Sequence, residues 1–588
     1  MLRGAVPFSR LRLASRFFAI CLVPAMWFAA WLQNLSAYPD ARAQAQTAQA
    51  LPPQQLSPQG QAALLAAIEA RNLPELRWPD FSDKGKLVKE FYESYAYSLP
   101  WVRGMEPTAQ ARQAIAILSN AEQMGLNAED YDGPRWAVRL AKLKPATSQP
   151  SEADEVQFDA ALTVCMMRYI SALHIGKVNP KHFDFGLDVE AKRINLPGFL
   201  KDDVVDAPDV ATALAQVEPQ YPGYLRTIQA LHTYLELAAK DDQEQLPGAK
   251  KTITTGDAYP GVPRLIRLLR EVGDLPAGAN VSADETIYQG ALVDAIKNFQ
   301  RRNGLEPDGR IDAQTLAELN VPLSRRVRQM QLTLERWRWL PLDYQKSPIV
   351  VNIPEFRLRA YDEKFNIAVT MNVVVGKAYG GHGTPVFDDT MEYVVFRPYW
   401  EVPYSITKAE IVPHLVRDPD YLMKDGLEVV DSRQKVVTSG TVSSDVIEQL
   451  RAGKLFVRQV PDPKNSLGLA KFIFPNDYSV YLHDTPAHEL FSKSRRDFSH
   501  GCIRLERPAD LAVWVLRNNP GWDAARVRAA MNGDTTQQVN LAHPIPVLIL
   551  YATVIVSEDG IVHFYDDIYG HDAALEKVLV KGYPYPAD

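Results

Sequence analysis

The chain has 588 residues, 46% of them hydrophobic and 23% charged, which is ordinary for a globular protein and too long for one core. Its 64 basic and 71 acidic residues leave a net charge of −7, which excludes nucleic acid as the principal partner because phosphate recognition needs a basic footprint. With only Cys21, Cys165 and Cys502, a disulfide framework is excluded as well, and a cysteine beside a glycine stands out as a nucleophile candidate.

The N-terminus predicts export. Arg3, Arg10, Arg12 and Arg16 precede an uncharged run from Phe17 to Leu32, the order of a basic and then an apolar signal region. Ala41-Arg42-Ala43 and Ala43-Gln44-Ala45 offer small-residue cleavage sites. Residues 1–45 are therefore expected to act as a signal peptide or signal anchor, placing the rest in the periplasm, released or tethered to the inner membrane. Residues 46–61, rich in Ala, Gln and Pro, predict a flexible spacer.

From 62 to 250 the apolar residues recur at helical spacing, as in Leu64, Leu65 and Ile68 and again in Leu162, Tyr169 and Leu173. A helical scaffold domain is expected, with Cys165 as a small apolar core residue. Over 255–322, Leu292, Ile296 and Phe299 mark one helix, Pro307-Asp308-Gly309 a turn, and Asp312 the cap of a helix carrying Leu316 and Leu319. The segment from Phe299 to Leu305, with Asp308-Gly309 and Thr315-Leu316, resembles the small three-helix peptidoglycan-binding domain, which implies contact with glycan strands. A linker helix is expected over 323–345. Its stripe Val327, Met330, Leu334 and Trp337 predicts that the interleaved arginines face solvent.

Residues 346–556 read as a β-rich domain, with Ile367, Val369, Met371, Val373 and Val375 at period two. The more polar stretch 405–458, with one helix near Ser444–Arg451, interrupts the strands and is expected to be a capping insert. Residues 557–588 are left as a C-terminal extension.

The chemistry concentrates in Ser499-His500-Gly501-Cys502-Ile503-Arg504 and, upstream, Tyr481-Leu482-His483-Asp484. A thiol nucleophile needs a base, oxyanion donors and room for the substrate. His483 or His500 supplies an imidazole, Gly501 supplies room, and the amides of Gly501 and Cys502 are natural oxyanion donors. Arg504, two residues beyond the thiol, projects to the same side of an extended segment and suits a substrate carboxylate.

These residues resemble the YkuD-type L,D-transpeptidase motif, in which a histidine precedes a Ser/Thr-His-Gly-Cys segment. The stretches Trp400–Ile406, Phe474-Pro475-Asn476, Tyr481–Pro486, Gly176–Pro180 and Asp567–Gly570 are similar to the large YcbB-type members. The resemblance implies a multidomain α+β chain with Cys502 as nucleophile, His483 as base, the Ser499-His500-Gly501 loop at the oxyanion, and Arg504, Tyr481, Asn476 and Trp400 against the donor. It implies formation of 3–3 peptidoglycan cross-links between a tetrapeptide donor, which releases D-Ala, and a diamino-acid acceptor. It also implies acylation by carbapenems and needs neither metal nor cofactor. Hydrolysis by the same thiol, an L,D-carboxypeptidase, uses the same residues, and a non-catalytic wall-binding scaffold is the competing reading. A papain-like protease fits less well because the histidine precedes the cysteine. A metal site from His483, His488, His500 and Cys502 lacks closely paired ligands.

Overall fold

A computed structural model of the protein describes residues 52–144, 151–341 and 348–586. The expected export segment lies outside these residues, as does the spacer up to Leu51. Among the described residues no helix is long and apolar enough to cross a membrane. The remainder of the expected spacer differs from expectation. Ser57 accepts a hydrogen bond from the Gly60 amide at 3.1 Å and Pro58 opens helix α1 (Pro58–Ala70). Ser-Pro at this point is a helix start, with a cap and a proline preset for the first turn.

The scaffold is built around α2 (Glu152–Ile175), which Ser151 caps. From Phe158 to Leu173 nearly every residue is buried, so the helix is apolar on all sides and other elements pack around it. Its polar residues are buried with partners. Asp159 accepts from the Tyr92 hydroxyl and the Trp101 amide, each at 2.7 Å, and Arg168 pairs with Asp83 at 2.8 Å. Cys165 is buried in the same helix. Helices α3 (Val262–Glu271), α4 (Ala291–Arg302) and α5 (Ala313–Leu319) have their own core, including Leu265, Leu292, Ile296 and Phe299. Asp312 caps α5 through the Thr315 amide at 2.7 Å.

Helix α6 (Leu323–Trp337) corrects one expectation. Arg326, Arg336 and the adjoining Arg338 are buried rather than solvated. The helix is covered on more than one side: Arg336 reaches Asp572 at 2.5 Å and Arg338 reaches the Tyr224 hydroxyl at 3.2 Å. A single apolar stripe identifies one packed face and says nothing about partners arriving on the others.

The β-rich domain is a sheet closed on itself. Its strands are β1 (Ile349–Asn352), β2 (Arg357–Tyr361), β3 (Ile367–Gly376), β4 (Phe387–Phe396), then after the insert β9 (Ala470–Ile473), β10 (Leu482–His483), β11 (Asp497–Ser499), β12 (Ile503–Leu505) and β13 (Gln537–Leu550). Their order is β11-β3-β12-β10-β9-β4-β13-β1-β2, and β2 also pairs with β3. Strand β3 makes both junctions: residues 367–372 pair with β2, while Val373 and Val374 pair with β12.

The insert has a separate hydrophobic core, including Leu415, Leu422, Val429, Leu450 and Val457. It contains the expected helix at Ser444–Arg451 and a four-stranded sheet, β5 (Trp400–Glu401), β6 (Leu427–Val430), β7 (Val436–Thr438) and β8 (Phe456–Gln459), in the order β5-β8-β6-β7. Because β5 pairs with β8, the unit includes Trp400 and Gln459, outside the expected 405–458. The C-terminal residues are integral. The expected boundary at 556/557 falls within the hairpin of β14 (Val554–Val556) and β15 (Val562–Phe564). Helix α7 (His571–Leu579) carries Asp572 to Arg336, and Tyr583 packs 6.5 Å from the Tyr131 ring in the scaffold.

Candidate active site

Three adjacent strands set the site. Strand β10 runs parallel to β12, with Leu482 opposite Ile503 and His483 opposite Arg504. On its other side β9 is antiparallel, with Lys471 opposite His483. Side chains alternate between faces of a strand, so Lys471, His483 and Arg504 share one face. Tyr481 and Cys502, each two residues earlier, join them.

Cys502 is half-buried. Its Sγ lies 3.8 Å from the Ser479 carbonyl oxygen, and the amide and hydroxyl of Tyr481 both hydrogen-bond to the sulfur. Burial pushes the thiol pKa up, and the Tyr481 donors, Lys471 and Arg504 oppose that shift. Tyr481 is held from two further sides: the Trp400 indole hydrogen-bonds its hydroxyl, and the Lys471 Nζ sits 4.1 Å from its ring centroid.

The loop before the thiol is fastened through its backbone. Ser499 Oγ donates to the Cys502 carbonyl at 2.5 Å and accepts from the Gly501 amide at 3.1 Å. Thr384 Oγ1 donates to the Gly501 carbonyl at 2.7 Å and accepts from the Gly376 amide at 2.9 Å. The Tyr569 hydroxyl donates to the Gly376 carbonyl at 2.6 Å. Gly501 has φ +123°, a conformation that excludes a side chain, and at Gly376 a Cβ would strike the His382 carbonyl. One expectation is corrected here. The Gly501 amide is engaged by Ser499 and is not a free oxyanion donor, whereas the Cys502 amide has no hydrogen-bond partner among the described residues.

The two histidines are in different situations. His483 is buried, and its Nδ1 lies 2.5 Å from the Asp484 carbonyl. Nδ1–H therefore donates, which leaves the lone pair on Nε2. Burial, with Arg504 adding repulsion, lowers its pKa to about 3, so the ring is neutral at physiological pH, the form that accepts a proton. His500 instead places Nε2 2.8 Å from Glu410 Oε1 of the insert, with its ring 4.9 Å from that of His382. Its position ties the insert to the thiol loop.

Arg504 is not held by either acidic neighbour. Glu506 bonds Asn372, and Asp510 pairs with Arg507 at 3.0 Å. The Arg504 Nε is buried without a hydrogen-bond partner among the described residues. Asn476 is fully engaged in its own turn: Nδ2 donates to the Phe474 and Val480 carbonyls, and Oδ1 accepts from the Tyr478 and Val480 amides. It shapes the loop that presents Ser479. Among the described residues no group of His, Cys, Asp and Glu has the arrangement of a metal site. Motif reading missed Lys471 and Glu410. The first lies in the short strand β9 and the second in the insert, so neither carries a local signal.

Comparison with known proteins agrees with this geometry. Residues 86–231 match the model of a "Scaffold domain", 259–319 that of a "Putative peptidoglycan binding domain", and 347–536 that of the YkuD "L,D-transpeptidase catalytic domain". A "Putative L,D-transpeptidase" of Haemophilus influenzae is 28% identical over 302 residues, which is 50% of this chain and 58% of that one. The matched part thus spans little more than half of that relative's length. A crystal structure of an L,D-transpeptidase from Stackebrandtia nassauensis aligns over 51% of this chain and 97% of its own, at 13% identity and a TM-score of 0.19, too low to bear on the fold. Cys502, on the turn before β12, and His483, on β10, lie within the 347–536 match, and the chain is accordingly a multidomain protein with a YkuD-type L,D-transpeptidase catalytic domain, a helical scaffold domain and a peptidoglycan-binding domain.

Proposed function

We propose that this protein is a cysteine-dependent L,D-transpeptidase that forms 3–3 cross-links in peptidoglycan, and that it acts in the periplasm, to which the basic and then apolar N-terminus points. The observation that carries the reading is a half-buried thiol on a glycine turn, with a neutral histidine on the same face of the adjacent strand, two register positions on.

The reaction follows from these groups. Cys502 Sγ attacks the carbonyl of the donor's third residue, and its proton leaves through His483 Nε2. The C–N bond to the terminal D-Ala breaks, the departing amine takes a proton, and a thioester remains. The side-chain amine of an acceptor diamino acid then attacks the thioester, the C–S bond breaks and the thiol is regenerated. The Cys502 amide is the free backbone donor for the oxyanion. Arg504 suits a donor carboxylate, while Trp400 and Tyr481 line its path. The small helical domain suits glycan strands.

The test is incubation with purified tetrapeptide muropeptides, read by mass spectrometry. Cross-linked dimer and free D-Ala are expected, with a carbapenem adduct on Cys502. Cys502→Ala is expected to abolish all three while keeping the fold. Tripeptide without dimer would make the protein an L,D-carboxypeptidase, and dimer formation by Cys502→Ala would remove the nucleophile assignment.

A further inference from the structure

Lys471 has no part in the reaction above, and its surroundings are unusual for a lysine. Its half-buried side chain has no carboxylate within ion-pair distance among the described residues. Its Nζ rests over the Tyr481 ring, whose hydroxyl and amide hold the Cys502 sulfur. Arg504 likewise has no ion pair among the described residues, and it lies two residues beyond the thiol on β12. The register Lys471–His483–Arg504 thus sets two cations on one face, one on each side of His483, with Cys502 two residues before Arg504.

We propose that Lys471 is a positioning residue for the nucleophile: its ammonium, with the Arg504 guanidinium, is the fixed positive charge that stabilises the Cys502 thiolate as it forms, against the burial that disfavours it. This rests on Cys502 being the nucleophile. The usual countercharge of a catalytic thiolate is a protonated histidine. Here His483 is buried between the same two cations, and both disfavour an imidazolium. The S–H bond breaks, its proton passes through His483 Nε2 to water, and the electron pair stays on sulfur. Lys471 keeps its three protons throughout. The groups facing the pair are Tyr481, His483 and Arg504 on the sheet, Glu401 on β5, which attracts Lys471, and Glu489, which attracts Arg504. Glu401 is exposed and screened by water, and the sulfur attracts Lys471 more strongly than Glu401 does.

The experiment is the pH dependence of iodoacetamide alkylation in the full chain, resolved at Cys502 by peptide mass spectrometry. Lys471→Met is expected to move the midpoint up by about one unit, which slows alkylation at neutral pH roughly tenfold. Lys471→Arg is expected to restore it, and Lys471→Gln, polar and of similar length, repeats the loss should the methionine variant fold poorly. An unchanged midpoint in the folded neutral variants overturns the proposal. An unchanged midpoint with a raised donor KM would reassign Lys471 to a substrate carboxylate. Dimer formation by Cys502→Ala would instead strike the nucleophile reading, whereas the alkylation midpoint, read in proteins that keep Cys502, tests Lys471 separately.

Discussion

His483 shows how one buried ring links the chemistry of the site to the stability of the fold. Its folded pKa, about 3, lies below the ordinary 6.5 because burial and the Arg504 charge disfavour the imidazolium. Between those values the unfolded chain binds a proton that the folded chain does not. The stabilisation is therefore complete above pH 6.5 and lost as pH falls towards 3. His571, lowered to about 4 by burial and Arg336, acts in the same direction. Urea titrations at several pH values are expected to show stability declining below pH 6.5, with a shallower decline in His483→Gln and in His571→Gln. An unaltered slope in both would contradict the buried neutral rings.

At the scale of elements, Glu410 of the insert pairs with His500 of the thiol loop. Glu410 is half exposed, so the pair contributes less than about 1 kcal/mol to global stability. Its effect belongs to local opening. Glu410→Ala is expected to leave the melting temperature nearly unchanged while speeding amide hydrogen exchange over residues 404–417. Equal exchange rates there would mean that the insert's own core and the pairing of β5 with β8 hold it without the pair. The same pair explains why His500, adjacent in sequence to the Gly-Cys turn, is less suited to be the base than the more distant His483: its Nε2 is already committed to a carboxylate.

At the scale of the whole molecule, the scaffold and the catalytic sheet are joined through α6 and the C-terminal residues. Arg336 is buried against Asp572, which also accepts from Thr553 Oγ1 at 2.7 Å. Removing one partner of a buried pair leaves the other charge without compensation. Arg336→Ala is thus expected to lose about 3–5 kcal/mol in denaturant unfolding. The joint double variant with Asp572→Ala is expected to lose less than the sum of the two singles. Strict additivity would show that the two residues act independently.

The sequence by itself determined whatever is carried by neighbours along the chain. The alternation from Ile367 to Val375, the capped helix after Asp312, the helix at Ser444–Arg451 and the Ser-His-Gly-Cys turn are all local patterns, since periodicity and capping act within a few residues. Tertiary structure alone decided which surfaces were covered and which strands became neighbours. It buried Arg326 and Arg336 of α6, drew the C-terminal hairpin and Tyr583 into the body of the protein, closed β2 onto β3, and set Lys471, His483 and Arg504 side by side from three separate strands. Strand pairing joins residues far apart in sequence, and a period of two identifies the residues that share a face without naming the strand that will lie beside them.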